Sequence, residues 1–265
     1  MDPQYSATLG PFVADQIGEE DYYELSNGHP IRCSPAGRDH TGPNVSGAEA
    51  LDTDPDVEWS GVDAGYSPDP GTLRAPDVAV GKPAGEGPGW IPGSPPLAVE
   101  YAGVGQDERR LQDKIADLLG AGTRFVWVVR LVGPRRVEVY EPGKRVVTRS
   151  AGEELRAPGV LRNPVPVEAL YDRKTAHEVT LRNLLQRQGY ENLDAVLAAG
   201  REEGRDEGKV LGAAESVLTL LESRGVAVGD EERRRILACR DLELLRRWLV
   251  RAAAAGSVGE VFAEG

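Results

Sequence analysis

The sequence has few of the residues that cross-link a secreted protein and lacks the apolar runs that hold a protein in a membrane. Only two cysteines, Cys33 and Cys239, occur in 265 residues, which argues against a disulfide framework and a zinc site. No apolar run reaches the roughly 20 residues of a membrane-spanning helix. No basic, apolar and small-residue signal opens the chain. We therefore expect a protein of the reducing cytoplasm, without membrane association.

Positive charge is also scarce. The chain has 43 acidic and 31 basic residues, a formal net charge of −12, which argues against general DNA binding through overall charge. Local basic pairs can still contact a phosphate backbone, and three of them occur: Arg109-Arg110, Arg135-Arg136 and Lys144-Arg145. For any one pair, ordinary solvated charge is the favoured interpretation.

Two short apolar segments each adjoin a carboxylate. Asp77 precedes Val78-Ala79-Val80, and Glu100 follows Leu97-Ala98-Val99. Proline and glycine clusters flank both segments, as is typical of buried strands between loops. Because buried carboxylates are rare unless they are paired or bind metal, two on neighbouring strands predict a cation site. Taken alone, Asp77 could be a turn residue after Pro76, and Glu100 a charge at the end of a strand.

Lys114 lies in a helix predicted after the second strand. The apolar residues of this helix share one face: Leu111, Ile115, Leu118 and Leu119. Helical periodicity places Lys114 on or beside that buried face. Burial of an ammonium group is unfavourable without a nearby carboxylate or phosphate, and Glu100 on the preceding strand can supply the carboxylate. The alternative is that Lys114 extends from the edge of the face into solvent.

The pattern of elements predicts an α/β fold with a mixed β-sheet core flanked by helices. The predicted order is strand Val78–Val80, strand Leu97–Tyr101, helix Glu108–Leu119, strand Phe125–Val132 and strand Val137–Tyr140. The helix between the second and third strands favours parallel pairing of those two, and Gly133-Pro134 favours a hairpin between the last two. Upstream, residues 15–25 have helical character, and residues 34–74 are predicted to be irregular with short strand-like pieces.

After Tyr171 the pattern becomes helical. We predict two domains, 1–171 and an α-helical C-terminal extension, 172–265. The predicted helices of the extension are Val179–Arg187, Leu193–Arg224, Asp230–Cys239 and Leu242–Ala255. Glycine recurs every four residues from Gly200 to Gly212. This repeat is compatible with a hinged linker or with close approach of a second helix, and we assign the extension a role in protein contact or oligomerisation.

The chain from about Tyr22 to Tyr171 resembles a known family in the order and spacing of its motifs. These motifs are Tyr23-Glu24-Leu25, Gly37-Arg38-Asp39-His40, Pro76-Asp77-Val78, Val99-Glu100-Tyr101, Lys114 with Leu118-Leu119-Gly120-Ala121-Gly122, and Leu161-Arg162-Asn163-Pro164. In them the chain is similar to the Uma-two family of restriction-endonuclease-like proteins, which belongs to the PD-(D/E)XK nuclease superfamily.

The resemblance implies a metal-dependent nuclease. By the superfamily pattern, Asp77 and Glu100 hold magnesium or manganese, together with the backbone carbonyl of Tyr101. Such an ion lowers the pKa of a bound water and polarises a phosphate oxygen. The implied activity is endonucleolytic hydrolysis of DNA, by a homodimer because two sites are needed to cut both strands of a duplex.

The resemblance also implies roles for three further residues. The usual lysine of the superfamily stands two positions after the glutamate, where this chain has Ala102. Lys114 fits a placement in which that lysine has moved to the following helix. Glu24, predicted on the first helix, matches an auxiliary acidic residue, and His40 matches an auxiliary family position. The loop 103–106 departs from the Ser/Pro-rich loop common there. Together with the negative net charge, this leaves open an alternative, a catalytically inactive interaction or regulatory module.

Overall fold

The computed structural model describes residues 10–33, 35, 37–85 and 87–263. Contacts divide this part of the chain into two compact units, one up to Glu191 and the other from Asn192 onward. The first unit contains a six-stranded mixed sheet and helices, and the elements of the second are all helices. Among the described residues, no helix combines the length and the apolar character needed to cross a membrane.

The first unit has twelve strands in its described part: β1 (Tyr23–Ser26), β2 (His29–Arg32), β3 (Ser60–Val62), β4 (Tyr66–Ser67), β5 (Val78–Val80), β6 (Ile91–Pro92), β7 (Leu97–Ala102), β8 (Phe125–Arg130), β9 (Arg136–Tyr140), β10 (Val147–Ser150), β11 (Glu154–Leu155) and β12 (Val165–Pro166). Its helices are α1 (Arg38–Asp52), α2 (Glu108–Gly120) and α3 (Arg173–Arg187), with 3-10 turns at Ala14–Gln16 and Val167–Leu170. The second unit contains α4 (Leu193–Ser223), α5 (Asp230–Ala238), α6 (Leu242–Ala252) and α7 (Val258–Phe262).

The central sheet confirms the predicted strand pattern. Its order is β10-β9-β8-β7-β5-β3. Strands β7 and β8 are parallel and connected through α2, whereas the other neighbours are antiparallel. The connection from β8 to β9 contains Gly133, with φ +72°. A helix between parallel strands is expected because the second strand must start at the same end of the sheet as the first. The chain therefore has to cross back along the sheet before that strand begins.

Strand β7 separates two apolar layers. Val99 and Tyr101 belong to the larger core on one face of the sheet, and Ala98 and Ala102 belong to the core beneath α2. Since successive side chains of a strand point to opposite faces, Glu100 lies on the α2 face with the two alanines. Glu100 is buried there. The small alanines on either side leave room for this carboxylate beneath the helix.

The predicted helix at residues 15–25 is wrong. This segment forms the short turn Ala14–Gln16 and then enters the β1–β2 hairpin, so Glu24 lies on a strand. The hairpin loop is Asn27-Gly28, whose φ angles of 50° and 75° are both positive. Positive φ at both loop residues is the geometry of a type I′ turn, for which Asn-Gly is the preferred sequence. The turn residues were therefore a stronger signal than the helical character before them.

Helix α1 corrects the prediction that residues 34–74 are largely irregular; Ser34 and Ala36 lie outside the described residues. Pro43 and two glycines lower the helix propensity of this segment, but packing against the sheet overrides it. Gly47 is required by that packing, because a Cβ there would overlap with the hydroxyl oxygen of Tyr101. The hydroxyl donates a hydrogen bond to the carbonyl of Leu170 at 2.9 Å.

The helices of the C-terminal region match the predicted pattern, with one difference at its start. Helix α3 begins at Arg173, where the Asp172 carboxylate accepts a hydrogen bond from the Thr175 amide at 2.9 Å as an N-cap. Because α3 packs within the first unit, the division by contacts falls after it, whereas the sequence was divided between residues 171 and 172.

Helix α4 is continuous through the glycine repeat. A Cβ added at any of the four glycines would meet no atom within 4 Å in the described part of the chain, so none of them marks a close approach of a second helix. The buried residues of α4 lie in its second half and contribute to the hydrophobic core of the second unit. The core there is formed by Val217, Leu221, Ile236, Leu245 and Trp248, among others.

We predict that Gly47→Ala destabilises the first unit by about 1–3 kcal/mol, because the added methyl group displaces the buried Tyr101 ring. The measurement is the free energy of unfolding in denaturant. Gly120→Ala in α2 of the same unit is the control. Its Cβ would meet nothing within 4 Å, so α2 should lose no stability and should gain up to about 1 kcal/mol. Equal effects of the two substitutions would contradict close packing at Gly47.

Candidate active site

Four of the acidic and basic residues predicted from sequence meet at one place. Glu24 comes from β1, Asp77 from the residue before β5, Glu100 from β7 and Lys114 from α2. Glu24 and Glu100 are buried, and the side chain of Lys114 is only 13% exposed. The interpretation in which Lys114 extends into solvent is therefore wrong.

The Lys114 ammonium group has three oxygen partners. Its Nζ lies 2.8 Å from Glu100 Oε1, 3.1 Å from Glu24 Oε1 and 2.7 Å from the carbonyl oxygen of Ala75. Burial opposes the charged form of Lys114, but the two glutamates and Asp77 outweigh burial and raise its pKa. The lysine therefore stays charged in a place where an unpaired ammonium would be strongly unfavourable.

A second ion-pair network fixes Glu24. Arg74 donates from Nη1 to Glu24 Oε2 at 3.0 Å, and from Nε and Nη2 to Asp117 Oδ2 at 2.9 and 2.6 Å. Both oxygens of Glu24 are engaged, since Oε1 contacts Lys114. Sequence reasoning missed Arg74 and Asp117. The available signal was the position of Asp117 three residues after Lys114, which places both on the same face of α2.

Asp77, Tyr101 and His40 form the other side of the site. Asp77 Oδ2 accepts a hydrogen bond from the Tyr101 amide at 2.6 Å. His40 Nε2 lies 2.8 Å from the Tyr101 carbonyl oxygen and 3.5 Å from Asp77 Oδ2. Because a carbonyl oxygen only accepts, Nε2 carries the proton. The hydrogen bond with Asp77 raises the pKa of His40 although burial opposes the shift. The structure thus places His40 against two of the three groups predicted to hold the metal, Asp77 and the Tyr101 carbonyl.

Asp63 is a further acidic residue near Asp77 that sequence reasoning did not identify. It follows β3 in a left-handed conformation, with φ +52°, and its amide donates to the Asp77 carbonyl at 3.4 Å. Burial and then the charge of Asp77 raise the pKa of Asp63. A non-glycine residue with positive φ is uncommon, and such conformations are often found near functional sites. No pattern in the sequence around Asp63 indicated this position.

Negative charge exceeds positive charge in the cluster. Burial raises the pKa of Glu100 to about 8; Lys114 opposes this shift, and Asp77 and Glu24 add to it. The Arg74 guanidinium cannot compensate fully, because it is shared between Glu24 and Asp117. A cation between the Asp77 and Glu100 carboxylates would relieve this excess.

The oxygen atoms present fit a partly hydrated hard cation. Among the described residues, no three or more His, Cys, Asp or Glu side chains are grouped as a complete ligand set. Two carboxylates, Asp77 and Glu100, and the Tyr101 carbonyl would leave the remaining positions to water. This composition suits Mg²⁺, which binds oxygen ligands and usually keeps several waters.

We predict that the change in stability caused by Glu100→Gln is more favourable at pH 8 than at pH 5, without divalent metal. A carboxyl whose pKa is raised by folding contributes stability below its ordinary pKa of 4.5, and this contribution is lost as pH rises towards about 8. Thermal unfolding at both pH values measures the difference. Glu19→Gln changes an exposed carboxylate, and its stability difference from the unsubstituted protein should be the same at pH 5 and pH 8. A pH-independent effect of Glu100→Gln would argue against the raised pKa.

Comparison with known proteins identifies the family and the fold of the chain. The Uma2 family model, described as "Putative restriction endonuclease", matches residues 12–165. Among solved structures, the chain is similar to that of a putative nuclease belonging to DUF820 from Anabaena variabilis ATCC 29413, with a TM-score of 0.53 and 15% identity over 63% of this chain and 99% of that chain. This similarity shows a shared fold. No curated protein matches the sequence. Because the family model covers more than half of the chain, the chain belongs to the Uma2 family.

Proposed function

We propose that the protein is a magnesium-dependent DNA endonuclease that hydrolyses phosphodiester bonds, with manganese as an alternative ion. The single observation that carries this proposal is the meeting of the Asp77 and Glu100 carboxylates with the buried ammonium of Lys114. Two carboxylates and the Tyr101 carbonyl would hold the ion. When bound, the ion would polarise the phosphate and lower the pKa of an attacking water.

Three side chains of the protein would have separate roles beside the ion. Lys114 would orient the attacking water or neutralise charge that develops on the phosphate. Glu24 acts as a positioning residue, because both of its oxygens hold cationic groups of the protein and neither is free for substrate. His40 donates to the Tyr101 carbonyl and thereby fixes the direction of one proposed metal ligand. These contacts organise the site before substrate binds.

Three further parts of the proposal concern the substrate, the assembly and the compartment. Family membership supports DNA as the substrate. A homodimer would supply two sites for the two strands of a duplex, and the helical second unit offers surface for protein contact. Both cysteines are free thiols, which is compatible with the reducing cytoplasm.

The second candidate is an interaction module without catalysis. The observation in its favour is the net charge of −12, which opposes DNA binding except at local basic surfaces. Loss of cleavage by itself would not separate this candidate from an enzyme with an unidentified substrate. The experiments therefore measure both cleavage and metal binding.

We predict that Glu100→Gln lowers cleavage of supercoiled and single-stranded DNA in Mg²⁺ or Mn²⁺ by about a hundredfold or more, while the protein stays folded. Loss of a charged group from a preorganised site costs on the order of 3 kcal/mol in the transition state. Glu19→Gln, at an exposed position, should retain activity. Lys114→Met should also lose activity, whereas Lys82→Met, which removes a lysine that is 76% exposed, should not. Equal cleavage by wild type and Glu100→Gln would indicate a contaminant and contradict the assignment.

We also predict that Mg²⁺ or Mn²⁺ raises the melting temperature, because an ion that binds only the folded state stabilises it by mass action. At an ion concentration one hundred times Kd, the gain is about 2.7 kcal/mol. Asp77→Asn should abolish the shift, because the asparagine carries no charge to bind the ion. Its side-chain oxygen can still accept the hydrogen bond from the Tyr101 amide, so the local structure should be retained. Asp113→Asn on the exposed side of α2 is the control. A shift that survives Asp77→Asn would place the ion elsewhere.

A further inference from the structure

A cavity of about 970 Å³ opens beside the candidate active site. It lies between α1, the loop after β7, the β8–β9 connection and the start of α3. His40 belongs both to the cavity wall and to the site, where it contacts the Tyr101 carbonyl. Gly103 and Val104, which line the cavity, follow Tyr101 after a single residue. The cavity therefore adjoins the Asp77 and Tyr101 side of the candidate active site, with His40 between them.

The walls of this cavity expose apolar side chains. Val45, Val104 and Val132 are 66%, 92% and 53% exposed and come from three separate elements. Tyr171 and Leu131 add further apolar surface. Single exposed valines are common on protein surfaces, but convergence of several in one concave site is typical of ligand binding.

Cationic groups accompany these walls. Arg38, Arg135 and Arg173 line the cavity, and Arg135 lies over the Tyr171 ring, with its guanidinium carbon 5.0 Å from the ring centre. Within the described part of the chain, Arg135 forms no ion pair with an acidic side chain. Two acidic residues also line the cavity: Asp39, and Glu49, which lies 3.6 Å from His177. Arg135 is thus an exposed charge available to an anion, beside an aromatic and apolar wall.

We propose that this cavity binds an unpaired nucleotide of the substrate strand next to the scissile phosphate, with Arg135 on its phosphate and the apolar wall against its base. This inference deepens the proposed nuclease function and rests on it. The substrate class is then single-stranded DNA, or duplex DNA with frayed or unpaired nucleotides, in preference to intact duplex.

The combination of charge and apolar surface favours an unpaired strand. An intact duplex keeps its bases stacked inside and offers mainly phosphates, so the valine walls would gain little from it. An unpaired base exposes its faces, so the apolar side chains of the walls can pack against it. An apolar peptide could cover the same walls, but Arg135 and the position of His40 in both the cavity wall and the candidate site favour a phosphate-bearing ligand.

The test measures binding by fluorescence anisotropy with full-length Glu100→Gln protein in Mg²⁺, so that the substrate stays intact. The probes are a labelled single-stranded oligonucleotide and a duplex of the same sequence. Arg135→Glu, added to this protein, should weaken single-strand binding about tenfold. Arg201→Glu in α4 makes the same charge change at an exposed position outside the cavity and should have little effect. Val104→Glu should also weaken binding, with Val250→Glu in α6, 74% exposed, as its control.

Each outcome separates this proposal from the nuclease assignment. Weaker binding only in the cavity variants, with single strand bound more tightly than duplex, supports the cavity site whether or not cleavage is seen. Equal effects of Arg135→Glu and Arg201→Glu would indicate general electrostatics and overturn it. Tighter binding of duplex, or no binding of either probe, would also overturn it. Metal-dependent cleavage by wild type that is unchanged in Arg135→Glu would leave the nuclease assignment standing and remove the cavity from substrate recognition.

Discussion

The burial of the Lys114 ammonium group is the constraint on which the site depends. Moving such a charge out of water costs several kcal/mol, and the cost is offset only if its donors find acceptors in good geometry. Here the acceptors come from β7, β1 and the segment before β5, through Glu100, Glu24 and the Ala75 carbonyl. A displacement of any one of these elements would leave a buried charge without a partner. The lysine therefore links the position of α2 to the sheet and to the hairpin.

Charge is distributed unequally within this arrangement. On the side of Glu24, two cationic groups meet its carboxylate, and Arg74 extends the network to Asp117. On the side of Asp77 and Glu100, carboxylates outnumber cations, and the pKa of Glu100 is raised as a result of burial and its acidic neighbours. The first side holds the fold together, whereas the second is the side where an added cation or phosphate-bound metal would improve the electrostatics. Lys114 contacts both sides, because its ammonium group pairs with Glu24 and with Glu100.

The sequence predicted the local parts of this arrangement better than the distant ones. Lys114 was identified because its helix has a regular apolar face, and the β7–α2–β8 unit follows from short-range patterns. Glu24 was assigned to the wrong element because the helical character of residues 15–25 was weighed above the Asn-Gly turn. The pairing of Arg74 with Asp117 joins residues 43 positions apart, and no local period encodes such a contact. The same applies to the cavity, whose walls come from separate elements.

Tyr101 contacts both the hydrophobic core and the candidate active site. Its ring lies on the α1 side of the sheet, where the hydroxyl bonds to Leu170 and approaches Gly47, and its amide and carbonyl face Asp77 and His40. Helix α1 therefore influences the site in two ways, since it packs on the Tyr101 ring and also carries His40. The low helix propensity of α1 is tolerated because this packing holds it in place. A shift of α1 would move His40 and the adjoining cavity wall together. The direction of the Tyr101 carbonyl and the shape of the cavity therefore both depend on the packing of α1 against the Tyr101 ring.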